Sequence, residues 1–179
     1  VKGLFHAGDA SGASSHKFSS GSFTEGRITG KSMCKFAKEN ADKPAVSDAT
    51  IEALKERILK PLKTFEDNKD FTTDPEINPA YIRPYMFMFR LQKIMDEYAG
   101  GVSAQFKTNA HLMDQGMKLL TWLKEDSEKL AAENVYELER CWENVQRMWQ
   151  AEVHIRTMQF REETRWPGYY FRSDFPKMD

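Results

Sequence analysis

The stretch "NVYELERCWENVQRMWQAEVHIRTM", Asn134 to Met158, sets the class of the fold. Its apolar residues Val135, Leu138, Trp142, Val145, Trp149, Val153 and Met158 recur mostly at steps of three or four. That is the helical period, so one side of the segment is apolar and has to be covered. Such a stripe packs best against other helices in a bundle. Met148, Trp149 and Met158 accordingly read as core packing rather than as a cofactor site.

The pattern continues upstream. A fourth helix is expected to include Phe106, Leu112, Met113, Leu119, Leu120 and Leu123. A third is expected to start at Asn78-Pro79, because proline is tolerated at the first helical position, and to run to Tyr98, where Gly100-Gly101 stops it. Pro84 is either tolerated near its first turn or marks its true start. A second helix, capped by Ser47 or Asp48, includes Ile51, Leu54, Ile58 and Leu62, and Pro61 is expected to end or kink it. "NADKPAVSD" (Asn40 to Asp48) interrupts the pattern and places a boundary there. The expected organisation is residues 1–45 as one segment and residues 46–179 as a helical domain. That domain closes on "RWPGYYFRSDFPKMD", an aperiodic aromatic tail suited to wrapping something.

The opening "LFHAGDASGASSHKFSSGSFTEGRITGK" (Leu4 to Lys31) is of another kind. Val1 to Ala7 is short and apolar and ends at Gly8, which suits the last strand of a buried sheet. Ser11 to Gly21 reads as a polar loop. From about Ser22 a helix carries Phe23, Ile28, Met33 and Phe36, with Gly26 and Gly30 as close-packing positions. The expected class is therefore mainly α: a strand-loop-helix piece of an α/β domain, followed by an α-helical bundle.

Several residues here are candidates for a site. Asp9, following Gly8 at the carboxyl end of a strand, is placed where open α/β sheets contact ligands and can accept hydrogen bonds from hydroxyl groups; the alternative is a turn Asp bonding its own backbone. The amides of Ser22 and Phe23, at the expected helix start, can face an anionic or electron-rich group, with Gly21 allowing close approach. The alternative there is a Ser-capped helix without a ligand. His16 and Lys17 can hold a phosphate, sulfite or carboxylate, and His16 can transfer a proton; alternatively both face solvent. His6, His111 and His154 read as structural. "RTMQFREETR" reads as an ion-paired helix end, with a subunit interface as the alternative.

Composition narrows the class further. Hydrophobic residues make up 40% and charged residues 30% of the 179, and 26 basic against 27 acidic residues leave a net charge of −1. No basic surplus points to general nucleic-acid binding. No apolar run approaches the ~20 residues of a membrane span. Cys34 and Cys141 stand far apart, with no second ligand at metal-binding spacing. Two free thiols fit a reducing compartment, hence a cytoplasmic location.

"GLFHAGD", "HKFSSGSFTEGR" and "REETRWPGYYFRSDFP" together resemble the flavoprotein family of fumarate reductases and succinate dehydrogenases, and within it most of all the adenylylsulfate-reducing branch. The resemblance covers the whole chain, but only the last third or less of such a subunit. It implies FAD as cofactor, held by Gly8, Asp9, Ser22 and Phe23: Asp9 meets the ribityl chain, and the Ser22–Phe23 amides meet the flavin edge. The family's substrate-gripping arginine falls on Lys17, and its neighbouring asparagine on His16. The loss of that arginine speaks against a dicarboxylate substrate. The resemblance further implies reduction of adenosine 5′-phosphosulfate to AMP and sulfite, or the reverse, and a beta subunit whose iron–sulfur clusters deliver electrons. The aromatic tail from Trp166 to Phe175 is a candidate surface for that partner. No GxGxxG fingerprint is present, so most catalytic residues are expected upstream of Val1. The rival readings are a fumarate reductase or aspartate oxidase type of flavoprotein, and a helical interaction module without a flavin.

Overall fold

Side-chain oxygens decide where three of the helices begin. The computed structural model describes residues 1–11, 18–40, 45–71, 80–165 and 170–177. Ser47 Oγ accepts the Thr50 amide at 3.2 Å, Asn109 Oδ1 the Leu112 amide at 2.9 Å, and Asn134 Oδ1 the Glu137 amide at 3.1 Å. Each satisfies a first-turn amide that has no partner within its helix. These caps open α2 (Asp48–Asn68), α4 (Ala110–Asp126) and α5 (Val135–Phe160). The remaining helices are α1 (Ser19–Glu39) and α3 (Pro84–Tyr98). Two short strands, β1 (Lys107–Thr108) and β2 (Phe171–Arg172), pair in parallel, and 3-10 turns form at Gly8–Ala10 and Ser127–Lys129. The protein is thus mainly α, as the periodicity predicts. It divides into two compact units, Val1–Thr50 and Ile51–Asp179.

In the first unit α1 buries no residue of its own, and Phe18, Phe23, Ile28 and Met33 are exposed. The segment before it does not form the expected strand. Ala7 is extended, but the polar groups nearby turn to α1 instead of to a neighbouring strand: Gly8 N–H donates to Glu25 Oε2 at 2.8 Å, and the His6 carbonyl accepts Thr29 Oγ1 at 3.3 Å. A strand is defined by ladder bonds to another strand, and none among the described residues is offered here.

The second unit is a bundle in which α3, α4 and α5 pack on one another around Phe87, Leu91, Met113, Leu120, Leu123 and Ile155. Gly116 on α4 permits the approach: a Cβ there would lie 3.0 Å from Tyr98 Cβ and 3.4 Å from Ile155 Cδ1. Helix α2 joins through Pro61, Leu62 and Phe65. Pro61 does not end it, since α2 continues to Asn68. The Pro61 carbonyl accepts the Ala132 amide at 2.9 Å, and the Ile58 carbonyl accepts Trp142 Nε1 at 3.0 Å. Tertiary donors thus hold the backbone around a residue that cannot donate. Pro84 is the true start of α3, and Asn78-Pro79 falls outside the described residues.

Two further differences have local causes. Phe106 is not part of α4. It and Gln105 take left-handed φ values of 60° and 53°, which break a helix, and its carbonyl accepts the Phe171 amide at 3.1 Å. In α5 the buried ridge runs through Leu138, Cys141, Val145, Met148, Ile155 and Met158, while Val135 and Val153 are exposed and Trp149 is 44% exposed. Two apolar ridges lie on this helix, and its periodicity alone does not choose between them. Contacts with α3 and α4 turn the second one inward.

The described part of the tail, residues 170–177, packs on its own unit. Arg172 is only 1% exposed. Its Nε and Nη2 donate to Asp174 Oδ1 and Oδ2 at 2.8 and 2.7 Å, and its Nη1 donates to the carbonyls of Met158 at 2.5 Å and Arg161 at 3.3 Å, at the end of α5. Asp174 Oδ2 also accepts the Ala110 amide at 2.9 Å, at the start of α4. The Arg172 guanidinium holds the Asp174 carboxyl down at about 2, against an ordinary 3.8. Cys141 lies on the buried face of α5, and burial pushes its thiol up to about 12, while Cys34 on α1 is exposed.

Replacing Arg172 with Ala leaves Asp174 and the end of α5 without their cation. It is expected to lower the unfolding free energy by about 3 kcal/mol in chemical denaturation. Because the carboxyl of Asp174 is depressed on folding, its contribution is whole above pH ~4 and is lost as the pH falls through ~2. Asp174→Asn should flatten that part of the acid-stability profile. Iodoacetamide at pH 8 should label Cys34 alone in the folded protein and Cys141 only after denaturation.

Candidate functional site

The site forms where the opening segment lies along α1. Four contacts follow one face of the helix. Gly3 and Phe5 meet Phe36, with the Phe5 and Phe36 rings 5.6 Å apart and edge-on. The His6 carbonyl meets Thr29. Gly8 meets Glu25 and Ser22. Residues 22, 25, 29 and 36 recur at steps of three, four and seven, which is a single helical stripe. The segment therefore runs antiparallel to α1 and brings its turn to the helix's N-terminal end.

Gly8 is the pivot of that turn. It is buried, and its φ of +66° is a conformation that costs a side-chain-bearing residue about 1 kcal/mol or more. A Cβ on Gly8 would stand 3.4 Å from Ser22 Oγ. Asp9 follows and is exposed.

The predicted site residues fare differently. Gly8 and Ser22 are brought together, and Asp9 follows Gly8 in the chain. Ser22 and Phe23, however, do not open the helix. It begins at Ser19 behind Phe18, and the Ser22 amide already donates to the Phe18 carbonyl at 3.0 Å. Phe23 sits one residue deeper, with its ring 79% exposed. The serines and glycine read as loop adopt helical geometry, so the amides without an intrahelical partner are those of Ser19, Ser20 and Gly21. His16 and Lys17 lie outside the described residues.

Away from this region, His6, His111 and His154 are exposed, and no group of three metal-ligating side chains occurs among the described residues. The Arg161–Glu163–Arg165 cluster is ion-paired, as the charge pattern after α5 predicts. The residue that sequence reasoning missed is Glu25, whose carboxylate holds the Gly8 amide. Its one signal was its place three residues after Ser22 in "SFTEGR".

Gly8→Ala is expected to lower stability by about 1–2 kcal/mol in chemical denaturation. Asp9→Ala, at an exposed position, should stay within about 0.5 kcal/mol of the parent.

No family model matches the chain. It is 46% identical, over all 179 residues, to the adenylylsulfate reductase subunit alpha of Megalodesulfovibrio gigas, and spans 27% of that relative's length. Among solved structures it matches the adenylylsulfate reductase of the hyperthermophile Archaeoglobus fulgidus, with a TM-score of 0.90 and 51% identity, over all of this chain and 28% of that one. An adenosine-5-phosphosulfate reductase in complex with sulfite, as a covalent adduct, matches with a TM-score of 0.91, the same identity and the same coverage. The apo Sdh1 complex of Mycobacterium smegmatis shares the fold alone, with a TM-score of 0.70 and 22% identity over 99% of this chain and 28% of that one. The resemblance carried by the motifs therefore holds from end to end: the chain is similar along its whole length to a portion of the adenylylsulfate reductase alpha subunits, about a quarter of their extent.

Proposed function

We propose that this chain is the C-terminal portion of an adenylylsulfate reductase alpha subunit, a FAD-dependent oxidoreductase that interconverts adenosine 5′-phosphosulfate with AMP and sulfite. The observation that carries this reading is 51% identity together with a TM-score of 0.90 over the whole of this chain. In this reading a beta subunit with iron–sulfur clusters supplies electrons, and the two free thiols fit a cytoplasmic enzyme.

The residues present suit one wall of a flavin site. Asp9 is an exposed carboxylate able to accept hydrogen bonds from the ribityl hydroxyls. Beside it, α1 presents first-turn amides, and the helix dipole favours an electron-rich group at that end. Gly8 keeps the turn close against α1. When bound, FAD would supply the two-electron redox chemistry. The contribution of this chain is to bind and orient it: the Asp9 carboxylate through hydroxyl groups, the α1 amides through their partial positive charge. The arginine that grips dicarboxylates elsewhere in the family falls on Lys17, which favours the sulfur substrate over fumarate.

The test is FAD binding by the full-length subunit and by the 179-residue chain alone. The subunit should bind FAD and turn over adenylylsulfate but not fumarate. Asp9→Ala should weaken its FAD affinity about tenfold or more. The isolated chain, with one wall of the site, should show a dissociation constant above ~1 μM. Fumarate turnover without adenylylsulfate turnover would overturn the substrate assignment.

A further inference from the structure

We infer that Glu25 is a positioning residue for the flavin site: its carboxylate anchors the Gly8 amide and thereby sets where Asp9 stands. This rests on the proposed flavin role of Asp9.

Gly8 carries a left-handed φ of +66° inside a three-residue 3-10 turn. Nothing in so short a turn would hold that geometry by itself; a turn of this length closes on a single backbone bond, here Ser11 N–H to the Gly8 carbonyl at 2.9 Å. The Gly8 amide points the other way, into α1, and is taken by Glu25 Oε2 at 2.8 Å across a gap of 17 residues. A charge-assisted bond of this kind is about twice as strong as a neutral one. Ser22, one turn earlier on the same stripe, packs against the position where a Gly8 Cβ would be. The turn is therefore held between a carboxylate and a hydroxyl-bearing side chain of one helix face. Asp9 is the next residue, so fixing the Ala7–Gly8 peptide through that bond, with the Gly8 dihedrals set by the turn, fixes where the Asp9 backbone stands. Thr29 and Phe36 hold the segment further back, but neither touches the turn itself. Releasing Glu25 would leave the segment attached and free only the Asp9 end of it.

The test uses the full-length subunit. Glu25→Ala should weaken FAD binding about tenfold. Glu25→Gln, which keeps a carbonyl acceptor of the same reach, should remain within about threefold of the parent. If Glu25 acts through Asp9, the double variant Asp9→Ala/Glu25→Ala should bind FAD no more than about twofold worse than Asp9→Ala alone. Hydrogen exchange in the flavin-free protein gives a second readout: the Gly8 amide should lose protection in Glu25→Ala, while α1 keeps it. Additive losses in the double variant, or unchanged exchange at the Gly8 amide, would overturn the inference. Should Glu25→Ala fail to fold, Glu25→Asp, one methylene too short to reach Gly8, serves for both readouts. A parent subunit that binds no FAD would instead overturn the proposed function, and the exchange experiment would still decide whether Glu25 anchors the turn.

Discussion

The helical unit depends on one buried cation. Arg172 satisfies the last carbonyls of α5 and is neutralised by Asp174, which in turn holds the first amide of α4. An unpaired charge in that position would cost more than the surrounding packing returns, so the three partners stand or fall together. Residues 170–177 of the aperiodic tail are thereby part of the bundle rather than an appendage to it. The two-residue strand β2, the Thr164 hydroxyl and the Phe175 ring all serve to bring the guanidinium to its place.

The first unit is organised differently. It has no core in the usual sense, since α1 buries none of its own residues. The opening segment is held by a stripe of contacts along the helix: a ring pair at one end, polar bonds at the other. That gradient suits a structure whose far end has to present polar groups. Backbone amides and a carboxylate at the Gly8–Asp9 end are chemically apt for a flavin, whereas the Phe5–Phe36 end needs only to stay attached. The exposed Phe18, Phe23, Ile28 and Met33 amount to more apolar surface than a free helix ordinarily shows. In the proposed reading, the remainder of the subunit covers them.

The candidate site and the helical core lie in different units of this chain. The Arg172 clamp and the α3–α4–α5 packing concern only the helical unit, while the candidate site belongs to the first. Its candidate ligand, Asp9, is exposed and contributes little to folding; its supports, Gly8 and Glu25, hold the turn. Such a division is common where a site is grafted on a scaffold.

The sequence by itself determined the helices and the mainly α class, because the helical period is a local property, and Ser47 is legible as a cap for the same reason, whereas the Asn109 cap is not while Phe106 counts toward α4. It also determined Gly8 and Asp9 as the place to look, since a glycine and a carboxylate between an extended segment and a helix carry their own signal. Tertiary structure decided what depends on distant partners. It selected which of two apolar ridges α5 buries, kept α2 intact through Pro61 by supplying donors from Ala132 and Trp142, and began α1 three residues before Ser22. It turned the opening segment onto α1 instead of into a sheet, and paired Arg172 with backbone far from it in sequence. Glu25 belongs to the same class: nothing local distinguishes a glutamate in a helix, and only the fold brings the Gly8 amide within 2.8 Å of it.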